Sequence, residues 1–185
     1  MSRARGEWRP TREHLDAARD RTVPDVIAPG LDVLFCGINP GLYSGAVGHH
    51  FARPGNRFWP ALAAAGFTDR VLTAFEEREL LRSRLGVTNM VARTTASAAE
   101  LDPAEVTSGG SALRSKVIRY APRYLAVLGL GAYRTAFGRA RATIGLQEDV
   151  IGPSSVWLLP NPSGLNAHYQ LDDLARAFAE LRAAL

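Results

Sequence analysis

The sequence predicts a three-layer α/β domain, an αβα sandwich with a short, mainly parallel central sheet. Short apolar runs alternate along the chain with stretches of helical pattern, and near-continuous apolar strands are typical of a parallel sheet covered on both faces. The chain has 185 residues, of which 46% are hydrophobic and 22% charged, and this is enough to bury one sizeable core. One globular domain is therefore expected.

Four apolar runs are predicted to form the strands of this sheet. They are rich in leucine or in β-branched residues, and they span residues 32–37, 86–91, 124–129 and 156–160. In open α/β sheets, ligands bind beyond the carboxyl ends of the strands. We therefore expect the functional site in the loops that follow these four strands.

Five stretches between and after the strands are predicted to be helices. They span residues 56–66, 74–86, 111–121, 131–140 and 171–185. Residues 1–24 are predicted to be a separate, otherwise mobile appendage with a candidate helix at 11–21, which leaves residues 25–185 as the main domain.

The charge of the chain favours a polyanionic partner. The net charge is +4 and the pI about 9.7, values that suit nucleic acid. The basic residues are 21 arginines and one lysine, Lys116, a bias that genomic base composition explains equally well.

Composition also excludes several classes of protein. A single cysteine, Cys36, excludes an internal disulfide and a four-cysteine cluster, and the four histidines lack the spacing of metal ligands, so no metal site is predicted. No apolar run approaches the roughly 20 residues that span a bilayer, and the N-terminus is too polar for a signal peptide. We therefore expect a cytoplasmic protein with no membrane partner.

Two of the four expected loops contain an Asn-Pro pair followed by small residues. The first reads Gly-Ile-Asn-Pro-Gly around Asn39, and the second reads LPNPSGLN over residues 159–166. Each is compatible with ordinary turn chemistry, but together they place two glycine-containing loops beside one crevice. Phe51 lies in a neighbouring loop of histidines, glycines and prolines, where it is either exposed for binding or a core aromatic that pins the loop.

The order and content of these motifs resemble one family. The stretch LDVLFCGINPGLYSGAVGHHFARPGNRFWPALAAAGFTDR, followed by GVTNMVARTT, SGG and LPNPSGLN, is similar to the mismatch-specific uracil/thymine-DNA glycosylases of the uracil-DNA glycosylase superfamily. The resemblance covers about residues 28–185. It implies the uracil-DNA glycosylase fold, base flipping and hydrolysis of an N-glycosidic bond. It further implies double-stranded DNA with a mispaired or damaged base as the partner, a monomer, and no cofactor.

The resemblance assigns roles to residues of the base pocket. Asn39 matches the catalytic position, which carries aspartate in other branches; an amide cannot take a proton but can hold a water molecule. Phe51 matches the aromatic that stacks on the flipped base, and the backbone of Ile38 matches a wall of the pocket. Asn89 matches a base-facing position and Gly41 one where a small residue leaves room beside C5, so thymine is not excluded.

The second Asn-Pro loop matches the wedge that enters the duplex where the base has left. Its predicted DNA-contacting residues are Asn161, Ser163, Gly164, Leu165 and Asn166, with Leu165 as the apolar intercalator. Asn166 and the alanine after it stand where a Ser-Arg pair is common in the family. The absence of that arginine affects the expected affinity of the wedge and the preference for guanine opposite the lesion.

Three alternatives remain open from the residues. A non-catalytic DNA-lesion binder is compatible with the missing carboxylate. Gly129-x-Gly131 after a predicted strand is part of a dinucleotide motif, although Arg134 occupies the third glycine position. The Gly-Gly between Ser108 and Ser111 fits either a phosphate site at a helix N-terminus or a capped helix start.

Overall fold

The fold is a five-stranded sheet between two layers of helices. In a computed structural model that describes residues 8–185, the strand order is β2-β1-β3-β5-β4, and the first four of these strands are parallel. The strands are β1 (Val33–Gly37), β2 (Leu85–Asn89), β3 (Tyr124–Leu128), β4 (Gly145–Ile151) and β5 (Ser154–Leu159). The three-layer α/β prediction is confirmed.

Helices cover both faces of the sheet. The α-helices are α1 (Arg12–Asp16), α2 (Leu42–Val47), α3 (Phe58–Ala64), α4 (Pro103–Tyr120), α5 (Leu130–Phe137) and α6 (Leu171–Ala183). Two 3₁₀ helices span Ala74–Ser83 and Ala98–Glu100. Among residues 8–185, no helix is both long and apolar enough to cross a membrane.

Alternate residues of β1 supply the two hydrophobic cores. All five residues of β1 are buried, as its continuous apolar sequence predicts. Val33 and Phe35 face the core formed with α3 and α6, whereas Leu34 and Cys36 face the core formed with α4 and α5. Phe35 stacks on the α6 residue Phe178 with ring centroids 5.8 Å apart. The sheet is therefore fixed from both sides.

Chain connectivity places the switch in strand order at β1. The chain passes from β1 to β2 on one side, and then returns to β3 on the other side. Loops that leave adjacent parallel strands in opposite directions open a crevice at the carboxyl edge of the sheet. The Asn-Pro loop after β1 lies at this crevice.

The edge strand β4 was not predicted. It runs antiparallel to β5, and its residues alternate between partly buried and exposed positions up to the buried Ile151. An edge strand with one solvated face mixes polar and apolar residues, so it lacks the continuous apolar run by which the other four strands were recognised.

Helix α4 begins eight residues before its predicted start. Asp102 caps it, with Asp102 Oδ1 accepting from Ala104 N at 2.7 Å, and Pro103 is the first helical residue. The Gly-Gly pair therefore lies inside the helix, and both earlier interpretations of it are wrong. A Cβ at Gly109 would lie 2.6 Å from Met90 O, so a glycine is needed there for close packing. Residues 74–83 also differ from the prediction, because they form a 3₁₀ helix rather than an α-helix.

The N-terminal segment contacts the main domain. Residues 1–7 of the predicted appendage lie outside the described residues, and α1 covers only part of the candidate helix at 11–21. Beyond α1, Ala18 is fully buried and Val23 is 7% exposed. The packing of residues 18–23 on the domain was not predicted, and the division of the chain at residue 24 stays a prediction.

Candidate active site

A cavity of about 290 Å³ opens at the carboxyl edge of the parallel strands. This is close to the lower end of the range of about 300–1,000 Å³ found for small-ligand pockets. Eight of the ten predicted site residues line it: Ile38, Asn39, Gly41, Phe51, Asn89, Asn161, Ser163 and Leu165. Gly164 lies instead in an adjoining groove of about 210 Å³, and Asn166 lines neither.

The orientation of the Asn39 amide is fixed by three acceptors. Its Nδ2 atom lies 2.7 Å from Thr95 Oγ1, 3.0 Å from Arg93 O and 3.2 Å from Pro40 O. Carbonyl oxygens only accept, so the atom that faces them must be the NH₂ group. Within residues 8–185 the Oδ1 atom has no hydrogen-bond partner, and this oxygen remains free to accept a hydrogen bond from water.

Thr95 is a site residue that the motif analysis did not single out. Its side chain is 1% exposed, and its hydroxyl donates to Ser97 O at 2.8 Å, so its lone pairs are left to accept from Asn39. Thr95 N also donates to Pro40 O at 3.1 Å, which ties the loop after β2 to the loop after β1. The only sequence signal was the position of Thr95 at the end of the GVTNMVARTT motif.

Gly37, at the end of β1, leaves room for two pocket side chains to pack against the end of the strand. A Cβ at Gly37 would lie 2.6 Å from Asn89 Oδ1 and 3.3 Å from two ring atoms of Phe51. Asn89 is half-buried, and its side-chain amide has no hydrogen-bond partner in the described part of the chain. Both its donor and its acceptor are therefore available to a ligand.

Phe51 joins the pocket to the core. Its ring stacks on the buried Phe58, with centroids 4.1 Å apart and an interplanar angle of 29°, and it also lines the cavity. Its backbone φ is +52°, a left-handed conformation that bulky residues rarely adopt. Phe51 therefore packs against the core, as one of the two interpretations predicted, and its stacking on a flipped base stays a prediction.

The conformation of this loop is stabilised by a buried carboxylate. Glu77 Oε2 accepts from His50 N at 2.8 Å and lies 3.0 Å from His50 Nδ1, while Oε1 lies 2.8 Å from His49 Nδ1. Burial opposes ionisation, but the hydrogen bonds from His50 and His49 outweigh it and lower the pKa of Glu77 below its ordinary value. The ionised carboxylate holds the His-His pair immediately before Phe51.

Space is open beside Gly41. A Cβ built at this position would meet no atom within 4 Å, and the residue lines the cavity. The resemblance predicted such room for a substituent on the base. The backbone does not require a glycine at this position, since its φ of −77° is accessible to any residue.

The wedge loop rests on the turn before α3. Arg57 Nη2 donates to two of its carbonyls, at 2.7 Å from Ser163 O and 2.8 Å from Asn166 O, and Nη1 donates to Tyr169 O, just beyond the loop, at 2.6 Å. Leu165, at the tip, is 76% exposed. Arg57, to which the sequence analysis assigned no role, therefore supports the loop that exposes Leu165 to solvent.

The two wedge asparagines shape the loop from within. Asn161 Oδ1 accepts from Ser163 N at 2.9 Å, and Asn166 Nδ2 donates to Asn161 O at 3.0 Å. Asn166 Oδ1 accepts from His168 N at 3.1 Å. Their predicted contacts with DNA stay a prediction.

The partial dinucleotide motif has a structural explanation. Gly129 adopts a φ of +146°, and a Cβ there would lie 3.1 Å from Ile38 Cδ1. Arg134 donates to Ala142 O through Nε at 3.1 Å and Nη2 at 2.7 Å. Gly129 permits the backbone conformation of the turn, and Arg134 closes a loop, so neither residue forms part of a phosphate-binding site.

Lys116 lies away from the cavity. Its Nζ atom is 2.5 Å from Asp25 Oδ2 and donates to Thr88 Oγ1 at 2.8 Å, beneath the sheet on the α4 side. Among residues 8–185, no group of three or more His, Cys, Asp or Glu side chains is arranged to hold a metal ion.

Most of the chain matches one known protein family. The model of the uracil DNA glycosylase superfamily matches residues 24–184. The matched region contains every strand of the sheet and every residue that lines the cavity.

Proposed function

The chain belongs to the uracil DNA glycosylase superfamily, which supports DNA glycosylase activity, and we propose that it is a monofunctional, mismatch-specific member. In this proposal the enzyme acts as a monomer on double-stranded DNA, flips a mispaired uracil into the cavity and hydrolyses its N-glycosidic bond. The observation that carries the proposal is the amide of Asn39, which three acceptors orient so that its oxygen is left free at the cavity.

The chemistry suits a bond that breaks before the nucleophile attacks. The bond between C1′ of the sugar and N1 of uracil breaks, and its electron pair leaves with the base. A water molecule held by Asn39 Oδ1 then bonds through its oxygen to C1′ and releases a proton to solvent. Because an amide cannot remove this proton, the enzyme is expected to be slower than one with a carboxylate at this position.

Two groups of the pocket are suited to the flipped base. The ring of Phe51, already backed by Phe58, offers a rigid face for stacking. The free amide of Asn89 can both donate to and accept from the O4/N3 edge of uracil or thymine. The open space beside Gly41 accommodates a methyl group at C5, which supports thymine as a further substrate. Ethenocytosine, whose etheno bridge joins N3 and N4, is a further candidate that the substrate panel tests.

A non-catalytic lesion binder is the second candidate. The observation that favours it is that no aspartate or glutamate lines the cavity among the described residues. A binder needs stacking, an edge contact and a wedge, all of which this pocket offers, but it does not need an oriented amide oxygen beside the sugar.

The test is a panel of duplexes with uracil, thymine or ethenocytosine opposite each of the four bases, together with single-stranded uracil. We expect abasic sites in the duplex with uracil opposite guanine, measured by alkaline strand cleavage after a single turnover. Tight binding to this duplex with no abasic product at high enzyme concentration would establish the lesion binder instead.

A further inference from the structure

Residues 18–23 precede the region that the family model matches, yet they contact the loop that orients Asn39. Thr22 forms an antiparallel bridge with Arg93. Two backbone hydrogen bonds extend the pairing, from Asp20 N to Thr94 O at 3.0 Å and from Thr94 N to Arg21 O at 2.8 Å. Residues 93–95 are therefore held on their outer side by the N-terminal segment.

The inner side of residues 93–95 holds the catalytic amide. Arg93 O and Thr95 Oγ1 accept from Asn39 Nδ2, at 3.0 and 2.7 Å. One short stretch of backbone thus lies between the N-terminal segment and the amide, and a shift of this stretch moves two of the three acceptors that orient Asn39.

Side chains reinforce the outer contact. Arg93 Nη1 lies 3.1 Å from Asp20 Oδ1, and Arg93 Nε lies 2.6 Å from Glu105 Oε1. The hydrogen bond from Arg93 lowers the pKa of Glu105 to about 2. Arg19 pairs with Glu100 at 2.6 Å, one turn before α4. The guanidinium of Arg93 is therefore held between the N-terminal segment and the first turn of α4.

The pairing matters because Thr94 is fully buried. If residues 18–23 moved away, both backbone polar groups of Thr94 would lose their partners, and residues 93–95 would have to rearrange to find new ones. A misplacement of about 1 Å in a catalytic constellation can reduce the rate on the order of 100-fold.

We propose that residues 18–23 are a positioning element of the active site, which holds residues 93–95 where their oxygen atoms orient the amide of Asn39. The inference rests on the proposed function, because it concerns the rate of excision. None of residues 18–23 lines the cavity, so in this proposal they act through residues 93–95 and not on the flipped base.

The main test compares Ala18→Arg with Ala17→Arg. Ala18 is fully buried, so a long cation there must displace the segment, whereas the adjacent Ala17 is exposed and takes the same side chain into solvent. We expect at least a tenfold loss in the single-turnover rate on uracil opposite guanine for Ala18→Arg, with an unchanged Kd for the duplex. The Ala17→Arg enzyme should match the wild type.

Two further measurements separate positioning from a general loss of structure. Hydrogen exchange should show that the Thr94 amide loses protection in Ala18→Arg, whereas amides of β1 and β3 keep theirs. In an Asn39→Ala background, adding Ala18→Arg should cause no additional loss of rate, because the segment acts through Asn39.

A milder pair of variants keeps the test valid if Ala18→Arg does not fold. Asp20 has a φ of +62°, which asparagine tolerates well, so Asp20→Asn removes the charge paired with Arg93 and keeps the backbone. Because the pair is exposed, we expect only about a two- to fivefold loss of rate. The control is Asp16→Asn, which removes the same charge from an exposed position in α1.

The outcomes distinguish this inference from the proposed function. A wild-type enzyme that yields no abasic product would overturn both. An active wild type together with an Ala18→Arg variant that exposes the Thr94 amide and excises at the normal rate would overturn the inference alone. An equal loss in the Asn39→Ala background would also overturn it, since the segment would then act by another route.

Discussion

Replacing Asn39 by aspartate should slow the enzyme at neutral pH, although it introduces the carboxylate that other branches of the superfamily use. In Asn39→Asp an oxygen replaces Nδ2 and faces Arg93 O and Pro40 O, which lie 3.0 and 3.2 Å from Nδ2 in the native protein. The contact with Thr95 Oγ1 at 2.7 Å changes as well, but the amide has only two N–H groups, so two hydrogen bonds are counted as lost, each worth about 0.5–1.5 kcal/mol. The sum of about 1–3 kcal/mol corresponds to a rate loss of about 5- to 150-fold if it falls on the transition state.

The pH dependence of this variant follows from the same contacts. Two carbonyl oxygens disfavour the ionised form, so the pKa of the new carboxyl should be raised above its ordinary value. The protonated form can donate to one of these carbonyls and so partly restores the native geometry. Stability relative to the wild type should therefore be highest below the unfolded-state pKa and decline as pH rises to the raised folded-state pKa. Activity depends on the folded state alone, so it should decline as pH rises through the folded-state pKa.

The assay is single-turnover excision of uracil opposite guanine at saturating enzyme from pH 5 to pH 9, with thermal unfolding at the same pH values. Asn39→Ala is the control, because it should lose the chemical step at every pH while binding to the duplex is retained. An Asn39→Asp enzyme that is faster than the wild type at pH 7, with a rate that rises with pH, would refute the assigned orientation of the amide.

Four further predictions concern the pocket, the wedge and the mechanism. Phe51→Ala should weaken capture of the flipped base by about 1–3 kcal/mol in duplex binding assays without unfolding the domain. A lysine at position 57 cannot reach the same three carbonyls, so Arg57→Lys should weaken support of the wedge loop. Both Arg57→Lys and Leu165→Ala should slow excision from a fully paired duplex. Neither should slow excision from a duplex with an abasic analogue opposite uracil, where the base is extruded easily. Gly41→Tyr should abolish excision of thymine and retain that of uracil, and equal losses on both bases would contradict the assigned space. Borohydride should trap no enzyme–DNA adduct, whereas an adduct that disappears in Lys116→Ala would show a lyase mechanism.

The parallel part of the fold was predictable because burial leaves a direct signal in the sequence. A strand such as β1, which is covered on both faces, consists almost entirely of apolar residues, and its apolar run is visible without any knowledge of its neighbours. Strand β4 and the start of α4 depend on context instead. The edge strand β4 mixes polar and apolar residues, so its sequence resembles a loop. The glycines at the centre of α4 resemble a turn unless the close packing of Gly109 against Met90 O is known.

The residues of the pocket were predictable from motif resemblance, but their support was not. Asn39 and Thr95 are 56 positions apart, and Arg57 is 106 positions from the Ser163 carbonyl that it holds. Nothing local marks a threonine as the acceptor of a distant amide, or an arginine as the donor to three distant carbonyls. Such contacts are set by which strands are adjacent in the sheet, and this order is not encoded in any single segment.

In the proposed mechanism, close backbone approach explains how a weak catalytic group such as the Asn39 amide can suffice. A Cβ at Gly37 would overlap Asn89, and a Cβ at Gly45 would lie 2.5 Å from Thr94 Oγ1, directly beside the residue that orients Asn39. Because Gly37 and Gly45 have no side chains, separate loops meet at contact distance, and the Asn39 amide is oriented before substrate arrives. An amide gains nothing from proton transfer, and its contribution must come from the placement of water and from dipoles that need no reorganisation. Rigid support from neighbouring loops is therefore a requirement of this chemistry, and mutations that loosen these contacts should reduce the rate more than they reduce binding.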